Sequence, residues 1–219
     1  MTRSRVVSDA AAVDDDALLE AWRGGSATAG QALIGRHYAS VFRFFYGKVP
    51  LAVCEDLAQQ TFEVLCRRPD GYRGEGTFRA YLLGISRVLL MAWARRGRRE
   101  AAVTDCPLPG EAPSPSGVLG TQELLRVVAT ALRGLGLADQ ILIELKDWEG
   151  LSQAELAGMF GVPQPTVARR LQRARLRLRA AVEAALAEPQ RAAGLRNLDS
   201  CLESIRAAID ERWGPRRAS

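Results

Sequence analysis

The 219-residue chain contains a single histidine, His37, and four cysteines, Cys54, Cys66, Cys106 and Cys201, none in a Cys-x-x-Cys pair. A zinc site needs several such ligands at short spacings, so no metal is expected and the thiols read as free in a reducing cytoplasm. His37 stands in an aromatic-rich segment and is expected to pack or to lie at the surface rather than to catalyse. No apolar run is long enough to cross a bilayer, and the start, MTRSRVVSDAAAVDDD, has no apolar signal core. Membrane insertion and export are therefore not expected. Sustained period-two alternation is also missing, which argues against a β fold. Nor is there a carboxylate set for metal-assisted DNA cleavage. Asp14, Asp15 and Asp16 are better explained as the start of a helix, so no catalytic residue and no cofactor is expected.

What the chain does have is helical periodicity and unevenly placed charge. The formal net charge is +5 and the hydrophobic content 47%, as in a globular protein. Acid collects near the start (Asp9, Asp14, Asp15, Asp16, Glu20), base at 87–99 and again at 169–179. Two separated basic segments suggest two contacts with a polyanion. The second lies in LSQAELAGMFGVPQPTVARRLQRARLRLR, residues 151–179. Ser152 and Glu155 have capping-box spacing, Gly161 suits a left-handed helix end, and Pro163 and Pro165 suit the entry to a second helix. That second helix buries Val167, Leu171, Ala174 and Leu178 and carries Arg169, Arg170, Arg173, Arg175, Arg177 and Arg179 off the stripe. Two helices with a tight turn, the second presenting arginines, form a helix-turn-helix suited to a DNA major groove.

Helical patterns cover most of the rest. The spacing predicts a first helix from Asp14–Asp16 through Trp22, ended by Gly24-Gly25. Further helices are predicted over 26–48, 52–67 and 77–96, with a turn-rich loop over 69–76. Residues 104–117, TDCPLPGEAPSPSG, are too rich in proline and small polar residues to hold a fold and read as a linker. The chain thus divides into a flexible start (1–13), a first helical domain (14–100), a linker (101–120), a helix-turn-helix domain (121–186) and an extension (187–219). In the extension Leu195, Leu198, Leu202, Ile205, Ile209 and Trp213 recur at helical spacing. This stripe either packs on the protein's own domains or regulates by covering one of its binding faces until displaced.

The words DDALLEAWRGG, LIGRHYASVFRF, EDLAQQTFEVL, FRAYLLGISRVLL, LADQILIELKDWEGLSQAELAGMFGVP and TVARRLQRARLRL, in that order and spacing, give the chain a family likeness. It resembles the extracytoplasmic-function (ECF) group of bacterial RNA polymerase sigma factors over roughly residues 14–100 and 122–180. The resemblance implies an all-α fold of two small domains, region 2-like and region 4-like, with no enzymatic activity. It implies a cytoplasmic subunit that binds core RNA polymerase through the β′ clamp helices and the β subunit, and promoter DNA. An anti-sigma factor is implied as a further partner. A helix-turn-helix regulator that never joins the polymerase is the alternative, and it leaves the first domain without a purpose.

The resemblance also implies the site residues. Asp56, Gln59 and Gln60 would touch the polymerase, with Leu57 and Phe62 in the core. The loop 71–76 and the helix after it would open the −10 element, with Arg87, Trp93, Arg95 and Arg96 on DNA and Arg98 and Arg99 as further phosphate contacts. Trp93 and Tyr81 have core packing as their other role. Gln164, Thr166, Arg169, Arg170 and Arg173 would recognise the −35 element, while Arg175, Arg177 and Arg179 would contact phosphate or solvent. Val88 and Ala92 stand where the family has Asn and Asp, Gln60 where Glu is frequent, and Ala168 and Arg169 where Lys and Ser are common. The −10 surface therefore has fewer hydrogen-bonding groups than its relatives.

Overall fold

The computed structural model describes residues 14–97 and 121–186, with side chains from 127 onward in the second stretch. The expectations for residues 1–13, 98–120 and 187–219, including Arg98, Arg99 and the amphipathic extension, lie outside the described residues. All regular structure described is helical. Helices α1 (Asp15–Arg23), α2 (Ala27–Phe45), α3 (Leu51–Arg67) and α4 (Phe78–Gly97) form the first domain. The second comprises α5 (Thr121–Gly134), α6 (Leu137–Ile143), α7 (Gln153–Phe160) and α8 (Gln164–Ala185). A π-helical turn, Glu144–Trp148, prolongs α6.

In the first domain α2 packs against α1, α3 and α4, and α3 packs against α4. Leu19, Leu33, Phe45, Leu65, Leu82, Leu83 and Leu90 are fully buried between them. Gly30 permits α1 and α2 to approach closely: a Cβ there would lie 2.7 Å from Nε1 of Trp22. Side-chain hydroxyls of Thr61 and Ser86 meet at 3.3 Å across α3 and α4. Each also bonds a carbonyl of its own helix, Leu57 O and Leu82 O, so no buried polar group is stranded there.

Two expectations for this domain change. The helix predicted over 26–48 stops at Phe45, because Gly47 turns the chain with φ +79°. Asp14 sits at the N-cap of α1, but its carboxylate makes no cap bond. Asp15 instead accepts from Arg36 at 2.7 Å and lies 2.8 Å from Nε2 of His37. His37 is buried against Phe78, and burial lowers its pKa below 6.5 although Asp15 pulls the other way.

The second domain wraps around α8, against which α5, α6 and α7 all pack. Val167, Leu171, Ala174, Leu178 and Val182 form the buried stripe of α8. Leu132, Ile141, Leu145, Leu151 and Leu156 close over it. At about 25 cal/mol per Å² of apolar surface, each buried leucine contributes on the order of 2 kcal/mol. That stripe, rather than helix propensity, is what holds α8 in place.

Candidate nucleic-acid interface

Local signals in the sequence build the helix-turn-helix. The Ser152 hydroxyl accepts from the Glu155 amide at 3.1 Å, and the Glu155 carboxylate accepts from the Ser152 amide at 2.8 Å, closing the capping box of α7. Gly161 ends that helix with φ 62°, ψ 37°. Pro163 occupies the N-cap of α8 and Pro165 its first turn.

With its apolar stripe buried, α8 presents Gln164, Arg169, Arg170 and Arg173 to solvent, and Thr166 half-exposed beside them. Among the described residues these three arginines have no ion-pair partner. Arg177 and Arg179 lie in solvent as expected while pairing with Asp139 and Glu183, and Arg175 is half-buried against Asp147. Their side chains lie within reach of acids of the same domain, so the free positive charge concentrates on the N-terminal half of α8. A rigid helix with exposed guanidinium groups along one side and an exposed amide in its first turn can hydrogen-bond base edges and phosphates in a major groove.

In the first domain Asp56, Gln59 and Gln60 form an exposed polar face on α3, opposite buried Leu57 and Phe62. Beside Gln59 a groove between α2 and α3 is lined by Ile34, Tyr38, Glu55, Phe62 and Cys66. On α4, Arg95 and Arg96 are exposed and, among the described residues, bond only their own helix carbonyls, Met91 O and Ala92 O. Trp93 is half-buried against the core, and Val88 is 59% exposed where a polar residue was expected. Tyr81 packs with Tyr72 and Phe78, a core role. Arg23 donates to Pro69 O at 3.0 Å and Tyr72 O at 2.7 Å and so pins the loop 69–76 to α1. This role was invisible in sequence because its partners lie 46 and 49 residues away.

Arg87 is placed unlike the other arginines. Its guanidinium lies 4.2 Å from the ring centre of Phe160 and donates to Met159 O at 3.3 Å, so it is occupied by α7 of the second domain. Arg87, Arg170, Arg173 and Arg177 consequently line one cleft between the domains, with Asp139 and Phe160. The structure thus brings one −10 candidate together with two −35 candidates, and leaves Asp56, Gln59 and Gln60 apart on α3.

The family model for Sigma-70, region 4 matches residues 125–178, which span α5 through most of α8. The ECF RNA polymerase sigma-E factor of Escherichia coli (strain K12) is 27% identical over 172 residues, covering 74% of this chain and 90% of that protein. The sigma-E factor of Salmonella typhi aligns over the same share at 27%. RNA polymerase sigma factor NccH of Alcaligenes xylosoxydans xylosoxydans is 26% identical over 155 residues, 68% of this chain and 82% of its own. The solved structure of CnrH in complex with the cytosolic domain of CnrY superposes with a TM-score of 0.56 at 27% identity, over 78% of this chain and 97% of that one.

The chain is thus similar to ECF sigma factors over most of its length.

The likeness supports a sigma factor that directs transcription initiation, and a regulator that never joins the polymerase is not favoured. The fold agrees with sigma factor RpoE of Bartonella quintana, solved in complex with the anti-sigma factor NepR, at TM-score 0.53 and 24% identity over 67% of this chain and 91% of that chain. Among the described residues no helix is long and apolar enough to cross a membrane.

Proposed function

We propose that this sigma factor grips a promoter at two points, the domain at 121–186 on the −35 element and the domain at 14–100 on the −10 element. The observation that carries the reading is the exposure of Arg169, Arg170 and Arg173, with Gln164 in the first turn, on a helix otherwise fixed by its buried stripe. Arg170 and Arg173 read guanine edges, Gln164 an adenine, and Thr166 a phosphate or thymine methyl. Arg95 and Arg96, with Arg87 when free, hold the phosphates of the melted strand, and Trp93 stacks on a base. Asp56, Gln59 and Gln60 dock on the β′ clamp helices of core polymerase, with the second domain on the β subunit. The protein is a dissociable, non-enzymatic cytoplasmic subunit, masked by an anti-sigma factor when idle. Support for that partner comes from the CnrH and RpoE structures, each solved with such a protein.

Transcription by core polymerase plus the purified full chain, on a library of genomic fragments with start sites mapped, tests this reading. Defined starts preceded by a shared upstream motif are expected, and that motif should relax in R170A. Binding to core without defined starts would defeat it.

A further inference from the structure

Several polar contacts between the two domains share one electrical direction. In these contacts the first domain supplies the donors, Ser40, Arg43, Lys48, Thr77, Arg79 and Arg87, and the second the acceptors, while Arg133 of the second domain lies against Gly47. Glu149 is buried and accepts from Ser40 at 2.7 Å and Arg43 at 3.4 Å, with Arg79 at 3.7 Å from the same carboxylate. Glu144 pairs with Lys48, whose side chain is fully buried. Burial pushes the Glu144 pKa up, against the pull of Lys48 and Gln140. Glu155 accepts from the Thr77 amide at 3.0 Å and the Thr77 hydroxyl at 2.7 Å, while still capping α7. Thr77 in turn caps α4 through the Ala80 amide at 3.2 Å, so one carboxylate organises a helix start in each domain.

A face built of arginines, a lysine and helix-start donors matches a phosphate backbone as well as it matches carboxylates. The closed arrangement also cannot be the promoter-bound one. Elements at −10 and −35 lie about 25 base pairs apart, roughly 85 Å along B-DNA. Arg87 and Arg170, by contrast, share a single cleft. We infer that Glu144, Glu149 and Glu155 form an internal acidic competitor that covers a single-strand-binding face on the first domain, displaced when nucleic acid takes its cations. The inference rests on reading α4 as the strand-binding helix. Opening exposes Arg43, Arg79 and Arg87 together, so strand binding and domain separation are one linked equilibrium, tilted toward the open form by salt as well.

The full chain and its E149Q/E155Q variant, with helical content checked by circular dichroism, provide the test. Affinity for a labelled single-stranded oligonucleotide of about 20 nucleotides is read by fluorescence anisotropy. Domain separation is read by small-angle scattering and by amide exchange over residues 149–160. If the closed form dominates by about ten to one, the variant should bind roughly ten-fold more tightly and scatter as a more extended particle. The wild-type chain should open as oligonucleotide is added, a reading that does not depend on the variant folding. Opening of the variant without a gain in affinity would overturn the competition while leaving the strand-binding reading intact. So would a wild-type chain that binds and stays closed. Absence of binding by either form would instead remove the strand-binding reading, and this inference with it.

Discussion

Helices α8 and α4 both carry arginines beside a buried apolar stripe, yet the structure treats them differently. On α8 the charges at 169, 170 and 173 face water without an acid partner among the described residues, and the remaining three pair with acids of their own domain. On α4 the central charge, Arg87, is taken up by the other domain, and only the terminal Arg95 and Arg96 are exposed. An arginine count is therefore not a measure of available charge. What matters is which acids and rings lie within reach, and those come from elements far away in the chain.

The sharpest way to break this contrast is to remove the free charge of α8. R170A/R173A should lower affinity for duplex promoter DNA by about 100-fold or more, given roughly 1–3 kcal/mol per bidentate contact, and leave single-strand binding unchanged. Electrophoretic mobility shifts with both DNA forms would check it. Next, F160A should free Arg87 by removing a cation–π contact of about 0.5–2 kcal/mol, raising single-strand affinity a few-fold with little change on duplex. A fall in single-strand affinity would show that Phe160 aids Arg87 rather than occupying it.

Acid should separate the two domains in a different order. The folded pKa of His37 lies below 6.5, so the unfolded chain binds that proton first, and first-domain stability should fall as pH drops below 6.5. Burial pushes Glu155 up, but hydrogen bonds from Thr77 and Ser152 outweigh it and hold its carboxyl at about 2. Its contribution is present above pH 4.5 and lost only as pH falls through about 2. Amide exchange followed from pH 7 to 4 should therefore show α1 and α2 loosening while α7 stays protected. The smallest effect is expected for V88N, which restores a polar group at an exposed site on α4. Thermal stability should move by no more than about 0.5 kcal/mol, with a modest gain in single-strand binding.

The contrast also explains what was legible in the sequence. The turn between α7 and α8 is written in adjacent residues, Ser152 with Glu155, then Gly161, Pro163 and Pro165, so short-range rules find it. The buried stripe of α8 follows from period alone. The end of α2 was missed because apolar residues continue to Tyr46 while Gly47 turns the backbone. Nothing local marks Glu149 as the partner of Ser40 and Arg43, 109 and 106 residues away. Glu155 was visible as a cap for its own helix, but not as one for α4. Likewise the acids at 139 and 147 that pair with Arg177 and Arg175 sit 38 and 28 residues upstream, beyond any periodic signal.

The π-helical turn at Glu144–Trp148 has a consequence in helical phase. In an α-helix, residues five apart point about 140° away from each other. Here the Glu149 amide bonds Glu144 O at 2.9 Å, and this wider i→i+5 closure brings Glu144 and Glu149 round to the same side, toward Lys48 and Arg43. The single extra residue sets the angle between two carboxylates as a spacer sets two teeth of a key. Deleting one residue within 144–148 would restore α-helical winding and rotate one acid away from its cation, leaving the composition of the turn nearly unchanged.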